Sequence, residues 1–476
     1  MDNLNSTRPS VNISITEPNT RVSDIPADDG RSVRPGCIGV VSAEKATRAH
    51  RRAVALLAAA ALLVWPAVTT PAVASADESQ YETFYTPPDP LPDLAAGDLI
   101  RSEPSRLVLE PSGQLGAYVA TGTRIMYRSN DMRGRPIAVT GTYFEPDNPW
   151  PGAGPRPLIA FATNVYGIGD QCAPSRLFNQ GIHYSSGIDI TMGYEEGFIA
   201  TMVARGFAVV VTDYEGVGTP APATPFIRLP QAQALIDAAR AAMQLPQTSL
   251  DPHGPVAFWG YGQGGGASAA AVELAPSYAP TMHVVGAYAG APPADLALIP
   301  PFIDGSLLAG GLGLLLNGIG AAYPELAPGL AGALNDRGMK LLEKTQNDCV
   351  GALVMRFAFR HVQPYFTSDY NELINSEPLK TVLADQRIGE LRPNAPVFID
   401  SNRYDPFIPW GGAHQLALDW CAKGADVEFW TNEQPPFLNK LAINYFLTNY
   451  VDGERGMQWI ADRFNGAPTA PNCGAI

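Results

Sequence analysis

The stretch that most constrains the fold of this 476-residue chain is PVAFWGYGQGGGASAAAVELA, at residues 255–275. It begins with a short apolar run, Val256 to Trp259, which is typical of a buried strand. A glycine-rich turn follows at 260–264, and an alanine-rich helix is predicted to begin around Gly265. A strand that turns sharply into a helix is the basic unit of an α/β sheet.

Strand and helix patterns alternate on both sides of this stretch, and a helix is predicted at 230–244, for example. Further strands are predicted at 124–130, 136–145, 157–162, 207–211, 284–290, 395–400 and 426–430. The central runs are apolar at nearly every position, as expected of strands that are covered on both faces. The pattern therefore predicts a mostly parallel, doubly wound sheet, with an extended arm from residue 77 to about 104.

Strand patterns stop between residues 298 and 391, where the sequence is rich in Leu, Gly and Ala and then becomes helical in pattern. We expect this segment to be a helical cap inserted into a core made of 77–297 and 392–476. A cap of this kind would cover the crevice at the carboxyl ends of the strands, where α/β sheets bind ligands. The alternative is an ordinary helical layer of the core.

The first part of the chain has the features of an export signal. Residues 1–48 are polar and are expected to be disordered, or to result from a start site placed too early. Residues 49–76 contain basic residues, an apolar run of about 16 residues and the small-residue site Ala74-Ser75-Ala76, which together predict a secretory signal peptide cleaved near Ala76. The alternative is an uncleaved membrane anchor, although the apolar run is short for a span.

The charge of the remaining chain limits its partners. Residues 1–76 carry 8 of the 32 basic and 6 of the 46 acidic residues, which leaves a net charge of −16. An acidic surface of this kind argues against nucleic acid as a partner. The sequence leaves the oligomeric state open.

Five cysteines are present, and Cys37 would be lost with the signal. An even number in an exported chain favours two disulfides, and the residues alone allow three pairings of Cys172, Cys349, Cys421 and Cys473. The chain has no Cys-x-x-Cys spacing, so we expect no zinc site. We also expect no cofactor.

The turn at 260–264 has the form of the nucleophile elbow, Gly-x-Ser-x-Gly, with one change: Gly262 stands where the serine belongs. The nucleophile of such an elbow lies on a strained turn, for which we expect a positive φ. Glycine adopts that conformation at the least cost. A glycine at this position therefore preserves the turn while it removes the atom that would attack an ester.

Several segments together resemble the secreted lipase family of α/β-hydrolases, which includes the yeast lipase A type. The matching segments are 171–175, 213–216, the elbow, 290–296, 405–409, 420–424 and 459–472. The resemblance covers roughly residues 85–475. It implies the α/β-hydrolase fold with a lid-bearing cap, long acyl ester substrates, and the disulfides Cys172–Cys349 and Cys421–Cys473.

The remaining members of a catalytic triad can be sought in the chain order Ser, Asp, His. Asp405 lies after a late strand and is the expected acid. The resemblance places Tyr445 where the family has its histidine. The only histidine after Asp405 is His414, which lies within a predicted helix and is a poor candidate for the base.

The donors for an oxyanion are predicted from the same two loops. They are the backbone N–H of Gln263, which follows the elbow, and an N–H of the 163–166 loop, at Asn164 or Val165.

These features lead to two main hypotheses. The first is an exported, catalytically degenerate lipase homologue that binds lipid or acyl-ester ligands and can contact membrane or cell-envelope lipid. The second is an active ester hydrolase with a rearranged site, for which Ser268 is the nearest alternative nucleophile, although a packing role fits it better. A structural envelope protein is a third, weaker possibility.

Overall fold

A nine-stranded sheet forms the centre of the computed structural model, which describes residues 83–108, 120–184 and 187–476. The strands of this sheet are β1 Leu99–Leu107, β2 Ala120–Asn130, β3 Pro136–Phe144, β4 Leu158–Ala162, β7 Ala208–Thr212, β8 Val256–Tyr261, β9 Val284–Gly290, β10 Val397–Asn402 and β11 Val427–Asn432. A separate antiparallel hairpin consists of β5 Ile182–Tyr184 and β6 Ile190–Met192. All of the described residues belong to one compact unit, 76–476.

The strand order is β1-β2-β3-β7-β4-β8-β9-β10-β11. All pairs from β7 to β11 are parallel, and β1, β2 and β3 form an antiparallel edge. This is the mostly parallel sheet that the sequence predicts. The carboxyl ends of β4, β8 and β10 therefore meet along one edge, which brings together the loops that carry the predicted site residues.

One sequence prediction is wrong at the sheet edge. The arm predicted from residue 77 to about 104 includes the start of a strand, because β1 begins at Leu99 and pairs with β2. The residues of β1 are polar and partly exposed at most positions. An edge strand of this kind lacks the continuous apolar run that identifies central strands.

Helices cover both faces of the sheet. In the described residues they are α1 Pro174–Leu177, α2 Glu196–Ala204, α3 Arg228–Ala242, α4 Gln263–Tyr278, α5 Ile299–Ile303, α6 Gly311–Ala322, α7 Ala327–Ala333, α8 Asp336–Asn347, α9 Val350–Phe357, α10 Tyr370–Ile374, α11 Leu379–Asp385, α12 Trp410–Ala422 and α13 Ile443–Phe464. Helices α3, α4 and α12 bury apolar side chains on one face, and α2 and α13 on the other. The fold is therefore doubly wound.

Helices α5 to α11 all lie between β9 and β10, and the described residues of this segment contain no strand of the main sheet. Most of their buried apolar side chains form one cluster with Tyr261 at the end of β8, Phe407 of the loop after β10, and Tyr445 of α13. The helical segment therefore packs over the edge of the sheet where the predicted site lies.

Two disulfides join distant parts of the chain, with the pairing that the resemblance implies. Cys172–Cys349 connects the loop after β4 to the start of α9, and Cys421–Cys473 connects α12 to the C-terminal tail. The first of these anchors the helical segment to a strand-end loop of the core.

The predicted N-terminal extension and signal peptide, residues 1–48 and 49–76, lie outside the described residues. Within the described ranges, no helix has the length and apolar character needed to cross a membrane.

Candidate functional site

The elbow turn has the backbone geometry of a strained corner. Gly262 connects β8 to α4 with φ 58° and ψ −121°, and the positive φ is the one that the sequence predicts. Its N–H donates to the carbonyl of Gly290 at 2.9 Å. A Cβ at Gly264 would lie 2.0 Å from the carbonyl oxygen of Ala162, so a glycine is needed for α4 to approach β4 this closely. The scaffold of the elbow is complete.

The space beside Gly262 is occupied by a phenol. A Cβ at position 262 would lie 1.9 Å from Oη of Tyr445 and 2.6 Å from Oδ1 of Asn164. Tyr445 is buried, and its Oη accepts a hydrogen bond from Nδ2 of Asn164 at 2.7 Å. Gly262 and Tyr445 therefore form one steric unit, in which the absence of a side chain at one position provides the volume for the side chain at the other.

Tyr445 is held firmly in place in the first turn of α13. This helix runs from Ile443 to Phe464. The ring packs against Tyr261 and Phe407, with centroids 5.1 and 5.3 Å away. Burial raises the pKa of Tyr445 well above its usual range, and the charge of Asp405 adds to this effect. The phenol is therefore neutral and cannot act as a base or nucleophile at physiological pH.

Asp405 lies in the turn after β10 and is fully buried. Its Oδ1 accepts from the backbone N–H groups of Phe407 and Ile408 at 2.8 and 3.0 Å. Its Oδ2 has no hydrogen-bond partner in the part of the chain that the structure describes. Burial raises the pKa of Asp405 to about 7. The residue predicted as the acid is thus buried, and one of its two oxygens has no hydrogen-bond partner among the described residues.

Two of the predicted oxyanion donors already have acceptors within the protein. The N–H of Asn164 donates to Oε2 of Glu195 at 2.8 Å, and the N–H of Val165 donates to Oδ1 of Asn164 at 2.8 Å. The third donor, the N–H of Gln263, opens α4 at its positive end. Two of the three N–H groups therefore donate to acceptors within the protein and are not free to donate to a ligand.

Glu195 is the residue of this site that sequence reasoning missed. It is buried just before α2, and burial raises its pKa to about 8. No motif or spacing distinguishes it from the neighbouring Glu196, and only the tertiary contact with the N–H of Asn164 reveals its place.

A cavity of about 350 Å³ lies beside these residues. Its walls come from the helical segment and from the core, and they are almost entirely apolar. The apolar lining includes Leu296, Ile303, Leu308, Leu314, Leu353 and Phe407. Asn164, Gln263 and Tyr445 also line it, so the cavity runs to the elbow itself.

Comparison with known proteins places this arrangement in a family. Residues 183–472, more than half of the chain, match the model of the secretory lipase family. The chain belongs to the secretory lipase family. A probable inactive lipase of Mycobacterium tuberculosis is 28% identical over 81% of this chain and 82% of its own length. A secreted triacylglycerol lipase of Malassezia furfur is 26% identical over 82% and 77%.

Among solved structures, lipase A of Candida antarctica in its closed state matches with a TM-score of 0.69 and 25% identity, over 82% of this chain and 87% of that one. The chain therefore has the α/β-hydrolase fold of the secretory lipases, as the resemblance implied.

Within this secretory lipase fold, the other candidate residues lie away from the cavity. Ser268 is fully buried in α4, its hydroxyl has no partner among the described residues, and it does not line the cavity. His414 stacks on Trp410 in α12, with ring centroids 4.4 Å apart. His253 and His283 precede β8 and β9, at the opposite ends of these strands from the elbow. No histidine of the described residues lines the cavity.

One cluster has the residue types of a metal site: ligand atoms of His183, Asp189 and Cys349 lie within 4.8 Å of one another. The sulfur of Cys349 is bonded to Cys172, so it offers no thiolate to a metal ion. The carboxylate of Asp189 accepts from the N–H of Cys349 and from Gln171, which is a structural role.

Proposed function

We propose that this protein is an exported member of the secretory lipase family that has lost hydrolytic activity and binds an acyl lipid in the cavity beside the elbow. The observation that carries the proposal is the position of Tyr445. Its Oη fills the place of a nucleophile side chain at Gly262, at the end of an apolar cavity. The name of the Mycobacterium tuberculosis relative, a probable inactive lipase, agrees with this proposal.

The loss of catalysis follows from three parts of the site together. An ester-cleaving site of this class needs an attacking atom, a base and preorganised oxyanion donors. Gly262 offers no attacking atom, Tyr445 remains a neutral phenol, and the N–H groups of Asn164 and Val165 are bonded internally. Restoring any one of these parts leaves the other two absent.

The retention of binding follows from the cavity. A volume of about 350 Å³ with apolar walls is within the range of small-ligand sites, and it is suited to an aliphatic chain. We infer that residues 298–391 act as the cap of this site, since Leu308, Leu314 and Leu353 of that segment form part of its wall. The disulfide Cys172–Cys349 would keep that cap attached to the core.

The disulfides and the family both favour an extracellular location. All four cysteines of the described residues are paired, as is usual in oxidising compartments. The Malassezia furfur relative is named as secreted. We infer export through a signal peptide at 49–76 that is cleaved near Ala76, which N-terminal sequencing of the exported protein would test.

We also infer that the protein contacts a lipid surface when it takes up its ligand. Met192, Leu438 and Leu441 are large apolar side chains with 54%, 56% and 43% of their surface exposed. Of these three side chains, Met192 also lines the cavity, so at least one exposed apolar side chain borders it. Co-sedimentation with neutral lipid vesicles should fall at least threefold on Leu438→Glu, and equal sedimentation would contradict the contact.

The alternative, an active esterase with a rearranged site, lacks a nucleophile in this structure. Ser268, its best candidate, lies inside α4 and does not reach the cavity. A fluorophosphonate probe should therefore leave the protein unlabelled.

The proposal is tested by measuring binding and turnover on the same sample. A fluorescent alkyl probe should bind, while p-nitrophenyl esters should be cleaved far more slowly than the ordinary enzyme rate of about 1 s⁻¹. Gly311→Leu should weaken probe binding about tenfold, because Gly311 lines the cavity and an added Cβ there meets only Ile303 within 4 Å, which leaves room for the leucine side chain to enter the cavity.

The matched control is Gly320→Leu in the same helix, where an added Cβ meets nothing within 4 Å and the residue does not line the cavity. Its probe binding should equal that of the wild type. Turnover near 1 s⁻¹, or equal probe binding by both leucine variants, would contradict the proposed function.

A further inference from the structure

The cavity has a small polar region at the elbow, and part of its hydrogen-bonding capacity is already used. The side chain of Asn164 donates to Tyr445 and accepts from the N–H of Val165. Tyr194, which also lines the cavity, donates its hydroxyl to the carbonyl of Val165 at 2.8 Å. These groups hold the loop after β4 in place.

Two polar side chains in this region have hydrogen-bonding groups that no other described residue uses. Oη of Tyr445 accepts from Asn164, but its own proton has no acceptor among the described residues. The carboxamide of Gln263 has no hydrogen-bond partner in those same ranges, although the residue is only 7% exposed. Both side chains line the cavity. Since buried polar groups are normally paired, a phenol proton and a carboxamide are available to a ligand.

No positive side chain balances a negative charge in this region. None of the residues that line the cavity is a lysine, arginine or histidine. Two buried carboxyl groups, those of Asp405 and Glu195, instead act on Tyr445 and raise its pKa. Other titratable groups nearby include the phenols of Tyr194 and Tyr261 and, beside Glu195, those of Tyr166 and Tyr214, and the wall from the helical segment is apolar.

One feature of the site favours an anion, namely the positive end of α4, which is equivalent to about half an elementary charge. In an active lipase this end would act together with further N–H donors. Here the N–H of Asn164 donates to the carboxyl group of Glu195, and the N–H of Val165 donates to a side-chain amide. An ionised head group would therefore be desolvated with a single backbone donor and no counter-charge.

We infer that the cavity selects an aliphatic ligand whose head is an uncharged oxygen acceptor, with the carbonyl of an ester as the best fit, over the carboxylate with the same chain. The ester oxygen would accept from the phenol of Tyr445 and the carboxamide of Gln263. This inference rests on the proposed function, because it specifies the class of ligand for the same cavity.

The test is displacement of a fluorescent alkyl probe by three ligands that share one chain: dodecane, methyl dodecanoate and dodecanoate. At about pH 8.5 the methyl ester should bind at least tenfold more tightly than the carboxylate. Tyr445→Phe removes only the phenol oxygen. It should weaken ester binding by about two- to tenfold, the usual effect of one hydrogen bond, and weaken dodecane binding by clearly less than that.

The control for this variant is Tyr404→Phe, which removes the hydroxyl of a tyrosine that is 41% exposed and outside the cavity. It should change none of the three affinities.

A pH series tests the electrostatic part of the argument. Buried Glu195 and Asp405 have their pKa raised to about 8 and about 7, so both become neutral as the pH falls. The preference for the ester should therefore shrink from about pH 8.5 to about pH 6. Glu195→Gln stays neutral and can still accept from the N–H of Asn164. In this variant the preference for the ester should change less with pH at the high end of the range, near pH 8, where Glu195 of the wild type titrates.

The outcomes are separable. If dodecane and the ester bind but dodecanoate binds as tightly as the ester, the head-group inference is wrong and the proposed function stands. An unchanged ester affinity in Tyr445→Phe would likewise overturn the inference. If none of the three ligands displaces the probe, or the probe itself does not bind, the proposed function fails with it.

Discussion

The polar end of the cavity and its apolar wall differ in how much of a lipase site each of them contains. At the polar end, Gly262 has no side chain, Tyr445 fills the gap, and two N–H groups are bonded internally. Along the wall, side chains such as Leu314 and Leu353 line a volume of about 350 Å³. The polar end offers no attacking atom, and the apolar wall encloses a cavity.

The difference shows how unequally catalysis and binding depend on single atoms. Hydrolysis needs an attacking oxygen and a base within hydrogen-bond reach, so one substitution removes it. Binding of an aliphatic chain depends on apolar area, which many residues supply and no single residue controls. A lipase scaffold can therefore lose turnover and still bind lipid.

The largest expected effect comes from restoring the polar end. Gly262→Ser combined with Tyr445→His supplies an attacking atom and a base, with Asp405 already buried nearby and the N–H of Gln263 in place. The shorter imidazole also vacates the space next to position 262. We expect p-nitrophenyl ester cleavage to rise by about 10³-fold over the wild type, the order that a positioned base and nucleophile contribute.

Each single substitution serves as a control, and neither should raise the rate more than about threefold. A double variant that binds the alkyl probe but shows no gain would contradict the assignment of positions 262 and 445 to the nucleophile and the base.

The second effect concerns the steric pairing of Gly262 with Tyr445. Gly262→Ala places a Cβ 1.9 Å from Oη of Tyr445 at a positive φ, so we expect a loss of about 2–5 kcal/mol in the free energy of unfolding. Adding Tyr445→Phe removes the clashing oxygen and should restore part of that loss. Chemical denaturation of the single and double variants measures the coupling.

Gly320→Ala is the matched control, since an added Cβ in that helix meets nothing within 4 Å. It should be neutral or stabilising by about 0.5–1 kcal/mol. Equal costs for the double and the single variant at position 262 would show that backbone strain, and not the phenol, excludes a side chain there.

The third effect is the pH dependence of stability from Asp405. Its pKa is raised by burial to about 7, so the folded state holds a proton that the unfolded chain releases near its ordinary value of 3.8. Stability from this group is therefore lost as the pH rises from about 4 to about 7. Asp405→Asn should gain about 1–3 kcal/mol over the wild type near pH 8 and little near pH 4.

Asp251→Asn is the control, because Asp251 also accepts from the N–H two residues ahead but lies in an exposed turn. Its thermal unfolding should follow the wild type across the same pH range. A parallel gain in both variants would show that the benefit does not arise from burial.

The smallest effect is expected at Ser268. Its buried hydroxyl has no partner among the described residues, so Ser268→Ala should change the free energy of unfolding by less than about 1 kcal/mol. We expect the change to be stabilising, because the variant removes an unpaired buried polar group. Any residual hydrolysis and the probe affinity should both be unchanged. A loss of hydrolysis would revive the rearranged-site hypothesis.

The sequence by itself determined the scaffold. The apolar run Val256 to Trp259 and the glycines after it predict the elbow, because central parallel strands are apolar throughout and close helix–strand packing excludes a Cβ. The alternating elements predict the parallel sheet, and the missing serine at Gly262 is visible in the letters alone. The sequence does not predict the edge strand β1, because its residues are polar and partly exposed and form no continuous apolar run.

Only the tertiary structure decided what occupies the vacated site. Tyr445 is 183 residues beyond Gly262 in the chain. No local sequence pattern indicates that its Oη lies 1.9 Å from the position that a Cβ at residue 262 would take. The same holds for Glu195, whose carboxyl group accepts a hydrogen bond from the N–H of Asn164. Contacts between distant segments depend on how the whole sheet and its helices pack together. Local sequence patterns reflect only residues that are close in the chain, so they do not predict these contacts.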